Sequence, residues 1–198
     1  MSARALAAPA GGLGFTVVEL LVAGTVGLVV LAALTALVGA GGRVLLGAGL
    51  RLETDDMVVS AFEAFAFDVR RAGWDPAAAG AQALVAAASD AITMEADLDG
   101  DGAIDPSSEE RVRWACSSGP PRLSRIVGAQ SMPAAGSVTA CRFAFFDADG
   151  ATLPSPPGGL DGAARAAVRA IRLDLAVRPP GLGTPTARHA LVALRRMP

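Results

Sequence analysis

Between Phe15 and Gly42 the sequence carries a single charge, Glu19. At about 1.5 Å per residue, a helix of that length crosses a hydrocarbon core of about 30 Å. The apolar core of a secretory signal is shorter, about 7–15 residues. The run therefore reads as a membrane-spanning helix. Arg4 and the terminal amine precede it, and Arg43 and Arg51 come much later, so the N-terminus is expected inside. A carboxylate costs about 2.5–3.5 kcal/mol at the centre of such a helix and less near its end. Glu19 therefore calls for a partner, or for a position at the aqueous interface.

The rest of the chain has a different pattern. The 198 residues suit one domain plus an appendage. Val58, Phe62, Phe65, Val69 and Ala72 recur at helical spacing and form one apolar stripe, with Glu53, Asp55, Asp56 and Glu63 on other faces. Gly73 and Pro76 mark the stop. Beyond them, AITMEA, RVRWAC, TACRFAFF and VRAIRLDLAV alternate with period two, and ARHALVAL reads as the last strand. Such alternation predicts half-buried antiparallel strands. SSGPP, LPSPPGGLDG and RPPGLGTPT read as loops. The fold class expected is α+β: a long N-terminal helix, transmembrane and then amphipathic, packed on a C-terminal antiparallel β domain. The boundaries are 1–14 for a leader, 15–42 for the span, 43–75 for the amphipathic half and 76–198 for the β-rich domain.

Charge is uneven along the chain. Glu53–Glu110 holds 14 acids and 2 arginines, whereas Arg111–Pro198 holds 12 arginines and 4 acids. Either the two halves fold together and intermingle, or they present faces of opposite sign to different neighbours. The net charge of −2 gives no global sign of nucleic-acid binding. Cys116 and Cys141 lie on predicted apolar strand faces, and a bridge is expected if that domain occupies an oxidising compartment. The loop it closes is worth roughly 3 kcal/mol.

DLDGDGAID is a second candidate site. Asp97, Asp99, Asp101, Ala103 and Asp105 stand at positions 1, 3, 5, 7 and 9 of an EF-hand-like loop, with Gly102 at 6. Alternating aspartates, with a backbone carbonyl at position 7, are oxygen donors for calcium. Position 12 is Ser108, with Glu109 one place late, and strands replace the flanking helices. The other reading is a solvated Asp/Gly hairpin loop. No phosphate-loop, dinucleotide, zinc-protease or serine-hydrolase motif is present, and His189 has no neighbouring nucleophile, so no enzymatic activity is expected.

The run G-F-T-V-V-E-L-L-V-A resembles the N-terminal cleavage and methylation motif of type IV pilins and type II secretion pseudopilins. The resemblance implies a prepilin peptidase that cuts after Gly14 and N-methylates Phe15. It implies that Glu19 supports assembly by meeting a neighbouring subunit's terminal amine. Ala36 stands where major pilins often have proline, and Gly39, Gly41 and Gly42 would supply flexibility there. FDVRRAGWDP, the Asp/Gly stretch between strands and FFDADG resemble PilW-type minor pilins and J-type minor pseudopilins. The implied partners are prepilin peptidase, other pilins or pseudopilins and the bacterial inner membrane, with the C-terminal domain periplasmic. The expected role is a minor subunit of a type IV pilus. Its alternatives are a minor pseudopilin, or an anchored calcium- or ligand-binding β domain that does not polymerise.

Overall fold

The structure, a computed structural model, describes residues 15–136, 138–178 and 183–194. The chain divides between Leu46 and Gly47 into two compact units. One helix, α1 (Val17–Arg71), contributes to both.

In the N-terminal unit, Val17–Gly42 is a 26-residue apolar stretch, long and apolar enough to span a membrane. Val18, Leu21, Val30, Leu31 and Leu34 point in different directions around the axis, and all are exposed. A helix that is apolar all round suits lipid. α1 stays helical through Gly39, Gly41 and Gly42, so these glycines do not interrupt it.

In the second unit the same helix becomes one-sided. Thr54, Val58, Ala61, Phe65, Val69 and Ala72 are buried. Phe65 lies at the centre of the stripe, Ala61 is buried on one flank of it, and Phe62 on the other flank is only partly buried against the core. At about 100° per residue, position 61 lies about 40° from Phe65 around the axis and position 62 about 60° away on the other side. The helix stops at Gly73, whose φ of +76° suits glycine and where a Cβ would come within 3.1 Å of the Ala83 Cβ. The Gly73 N–H donates to the Glu95 carbonyl at 2.7 Å and joins the helix exit to the first sheet.

That sheet is an antiparallel meander of β1 (Ala86–Ala87), β2 (Ala91–Glu95), β3 (Arg111–Ser118), β4 (Pro121–Val127) and β5 (Gln130–Ala135). The second sheet contains β6 (Val138–Phe146), β7 (Thr152–Leu153), β8 (Ala170–Val177) and β9 (Thr186–Ala193), in the order β7-β6-β8-β9. A short helix, α2 (Gly162–Ala167), precedes β8; its N-cap, Asp161, accepts the Ala164 N–H at 2.8 Å. The alternating strands bury the predicted faces: Ile92 and Met94, Val112 and Trp114, Phe143 and Phe145, and Ile171, Leu173, Leu175 and Val177. β4 and β5 fall in a stretch for which the sequence predicts no strand, and SSGPP, read as a loop, contributes Ser117 and Ser118 to β3 and Pro121 to β4. Pro133 is tolerated because β5 is an edge strand, where a missing N–H breaks no interior ladder.

Phe65 sits where the layers meet. Its ring lies 5.6 Å from Trp114 of the first sheet, edge-on at 83°, and 5.9 Å from Phe143 of the second. Cys116 of β3 and Cys141 of β6 form a disulfide, so the two sheets are also joined covalently. The architecture is mixed α+β: an apolar N-terminal helix and two antiparallel sheets in one core with its later turns.

Candidate functional site

Gly14 lies outside the described residues. Phe15 is exposed, and helix α1 begins just after it. Thr16 and Glu19 bond reciprocally. The Thr16 N–H and hydroxyl donate to Glu19 Oε2 at 3.2 and 3.1 Å, and the Glu19 N–H donates to Thr16 Oγ1 at 3.2 Å. This is a capping box, which satisfies N–H groups that the first helical turn leaves without partners. T-V-V-E carries the signature openly, and a reading of Glu19 by charge alone passes over it. The carboxylate thus has a local role in starting the helix, beside the positive end of the dipole.

The Asp/Gly loop connects β2 to β3. Asp97 is fully buried and accepts the N–H groups of Gly100 (2.7 Å) and Gly102 (3.3 Å). Asp99 accepts the Asp101 N–H, and Asp101 that of Ala103. Asp105 accepts the N–H and hydroxyl of Ser107, the hydroxyl first in effect, and its carboxyl sits below the usual carboxylate range. Ala103 is exposed in the turn.

The acid that closes the loop is neither Ser108 nor Glu109 but Glu110. It accepts N–H bonds from Asp105 and Leu98 at 2.8 and 2.9 Å, which hold its carboxyl below the ordinary value. Strand register explains the choice. The Ala96 N–H donates to the Glu110 carbonyl at 2.9 Å, one step beyond the Glu95↔Arg111 pair, so Glu110 lies beside Asp97 at the base of the hairpin. Oxygens of Asp97, Asp99 and Glu110 all lie within 4.8 Å of one another. Two oxygens that share a calcium ion, each at about 2.3–2.6 Å, are at most about 5.2 Å apart. The three carboxylates are therefore within reach of one hard cation; Asp101 and Asp105 are not among them. The same carboxylates hold the loop through backbone N–H bonds alone.

Glu109 turns the other way, into an ion-pair network centred on Asp68. Asp68 is buried near the end of α1. It accepts the Trp114 indole N–H (2.8 Å) and two bonds from Arg125 (2.7 and 3.1 Å), and it pairs with Arg71 (2.8 Å). Both arginines also pair with Glu109. The Arg125 hydrogen bonds, more than those of Arg71, pull the Glu109 carboxyl down to about 2. Facing two carboxylates, the Arg125 guanidinium is held more firmly charged than usual. The network escapes a sequence reading because its pairs, apart from Asp68–Arg71, are 16 to 57 residues apart. Arg111 with Glu95 and Arg188 with Asp55 repeat the theme: arginines of the basic half pair with acids of the acidic half, so the charges intermingle.

His189 is exposed on β9. No protein-family model matches the chain, and no curated protein matches it.

Proposed function

We propose that this chain is a pilin-like minor subunit. Prepilin peptidase processes it after Gly14, its apolar helix holds it in the inner membrane, and it is assembled into a type IV pilus. The observation that carries the reading is the run from Gly14 to Glu19, whose last three residues open a 26-residue apolar helical stretch. The chemistry is assembly. Cleavage would free an amine on Phe15, and a neighbour's amine meeting Glu19 would neutralise a carboxylate that is costly in lipid. The Thr16–Glu19 capping box adds a discriminating variant. Glu19→Gln keeps an acceptor for the cap but removes the charge, whereas Glu19→Ala removes both.

The test is the intact mass of the purified protein. The expected product begins at a methylated Phe15, and Gly14→Ala leaves the leader on. An unprocessed wild-type chain would sink the proposal and favour an anchored β domain that does not polymerise. If processing holds, Glu19→Gln should be lost from filaments while remaining in the membrane; normal incorporation removes the role given to the charge. A minor pseudopilin would use the same assembly chemistry in a type II secretion machine. Deletion that stops secretion and leaves pili intact assigns the chain there.

A further inference from the structure

The two sheets have four marginal strands, and three of them are blunted. β1 and β7 have two residues each, while β5 carries Pro133 and shifts register against β4 between Leu123 and Ser124. Short strands, prolines, bulges and charged side chains are devices by which proteins discourage edge pairing. β9 has only the last, in Arg188, whose guanidinium is paired with Asp55 at 3.3 Å. It runs for eight residues without proline and keeps one register against β8, from Val177↔Thr186 to Ala170↔Ala193. Among the described residues, no strand pairs with its outer side. The Leu194 N–H donates to the Arg169 carbonyl at 2.9 Å, towards β8. Alternation therefore turns the main-chain groups of Ala187, His189, Leu191 and Ala193 to the open edge. Leu191 is 62% exposed there.

We propose that a second copy of this chain adds to this edge, antiparallel, with Ala190 on the twofold axis. The inference does not depend on the pilin reading. Directly opposed residues in an antiparallel pair share a face, so a symmetric pair of identical strands must be centred on one residue. Centring on Arg188 or His189 sets that residue against its own copy, a like-charge pair or a potential one. Centring on Leu191 leaves fewer residues paired. Centring on Ala190 sets His189 opposite Leu191, Arg188 opposite Val192 and Ala187 opposite Ala193. No cation then faces another, and the smallest side chains lie at the axis and the ends. This self-complementarity selects a second copy as the occupant. The register makes about eight main-chain hydrogen bonds and joins two four-stranded sheets into one.

Oxidative cross-linking of the purified full chain in detergent tests the register. Cys116 and Cys141 are bridged and no free cysteine is present among the described residues, which include both cysteines of the sequence, so an introduced thiol is alone. Ala190 would form a non-hydrogen-bonded pair with its own copy, with Cα atoms about 4.5 Å apart, inside the disulfide range. Ala187 would lie about 20 Å from its own copy, six residues away at about 3.4 Å each. Ala190→Cys is expected to form a covalent dimer under an oxidant that leaves Ala187→Cys monomeric. Adding Leu191→Lys, at an exposed position that spares the core, is expected to abolish the Ala190→Cys dimer. Equal cross-linking at both positions, cross-linking at neither, or a monomer by light scattering overturns the proposal. The last outcome would leave β9 to a strand from another protein.

Discussion

Helix α1 contains two apolar stretches that meet their surroundings in opposite ways. In Val17–Gly42, Val18, Leu21, Val30 and Leu34 are all exposed and no side of the helix is reserved for polar residues. From Thr54 to Ala72, buried residues recur every three or four positions, while Glu53, Asp55, Asp56 and Glu63 take the other faces. The contrast shows that arrangement, more than apolar content, records the medium for which a helix is built. The same holds for two acids on this helix. Among the described residues, Glu19 bonds within its own first turn, whereas Asp68 is buried against two arginines and a tryptophan. One carboxylate is exposed at a helix start, and the other is buried in an ion-pair network.

The largest expected effect separates the two stretches. Phe65→Ala removes the ring shared by Trp114 and Phe143 and should destabilise the second unit by about 3–5 kcal/mol. Leu31→Ala, at an exposed site in the apolar span, should leave that unfolding transition unmoved. Denaturant titration in mild detergent, followed by tryptophan fluorescence, measures both. Equal shifts would break the division between a stretch made for lipid and one made for a protein core.

Asp68→Ala comes next. It leaves Arg125, Arg71 and the Trp114 indole without their buried acceptor, and breaking such a pair from one side costs about 3–5 kcal/mol. Glu109 contacts the same arginines but is about half exposed, so it is a poor substitute for the lost charge. A loss below about 1 kcal/mol, the scale of a surface pair, would place Asp68 in that class after all.

A smaller effect comes from pH. The folded Glu109 carboxyl lies at about 2, below the ordinary glutamate value of 4.5. A depressed acid contributes its full stability above the unfolded value and loses it as pH falls towards the folded one. The Glu109 contribution should therefore be complete above about pH 5 and fade between 4.5 and 2. Solvent screening of so exposed a group limits it to about 1 kcal/mol. Comparing Glu109→Gln with wild type across that window measures it. A difference that persists undiminished at pH 2 would mean that packing, not charge, is what Glu109 provides.

How far the sequence reveals this fold depends on whether the cause is local. β2, β3, β6 and β8 announce themselves by alternation, and Val58, Phe65, Val69 and Ala72 by helical spacing. β4 and β5 are obscured because PRLSRIV and QSMPAA show no clean period-two alternation, and only an edge position makes Pro133 acceptable in β5. Asp68 and Arg125 are 57 residues apart, so only the packed fold brings them together. Glu110 is hidden for another reason. Counting along an EF-hand template ends at Ser108, whereas hairpin register brings Glu110 back beside Asp97.

The smallest effect tests whether Glu19 is as free as the comparison with Asp68 requires. If its main role were to start the helix, Thr16→Ala and Glu19→Ala would fray the same turn, since each removes half of the reciprocal pair. An exposed N-cap of this kind is worth about 1 kcal/mol. Glu19→Gln should hold the turn, because an amide oxygen still accepts the Thr16 N–H. Amide exchange at Val17 to Leu20 in micelles should therefore speed up in Thr16→Ala and stay near wild type in Glu19→Gln. Equal fraying in both would show that the charge, acting on the helix dipole, is already consumed at the helix start. Glu19 would then resemble Asp68, a committed acid, and its availability to a neighbour's amine would be lost.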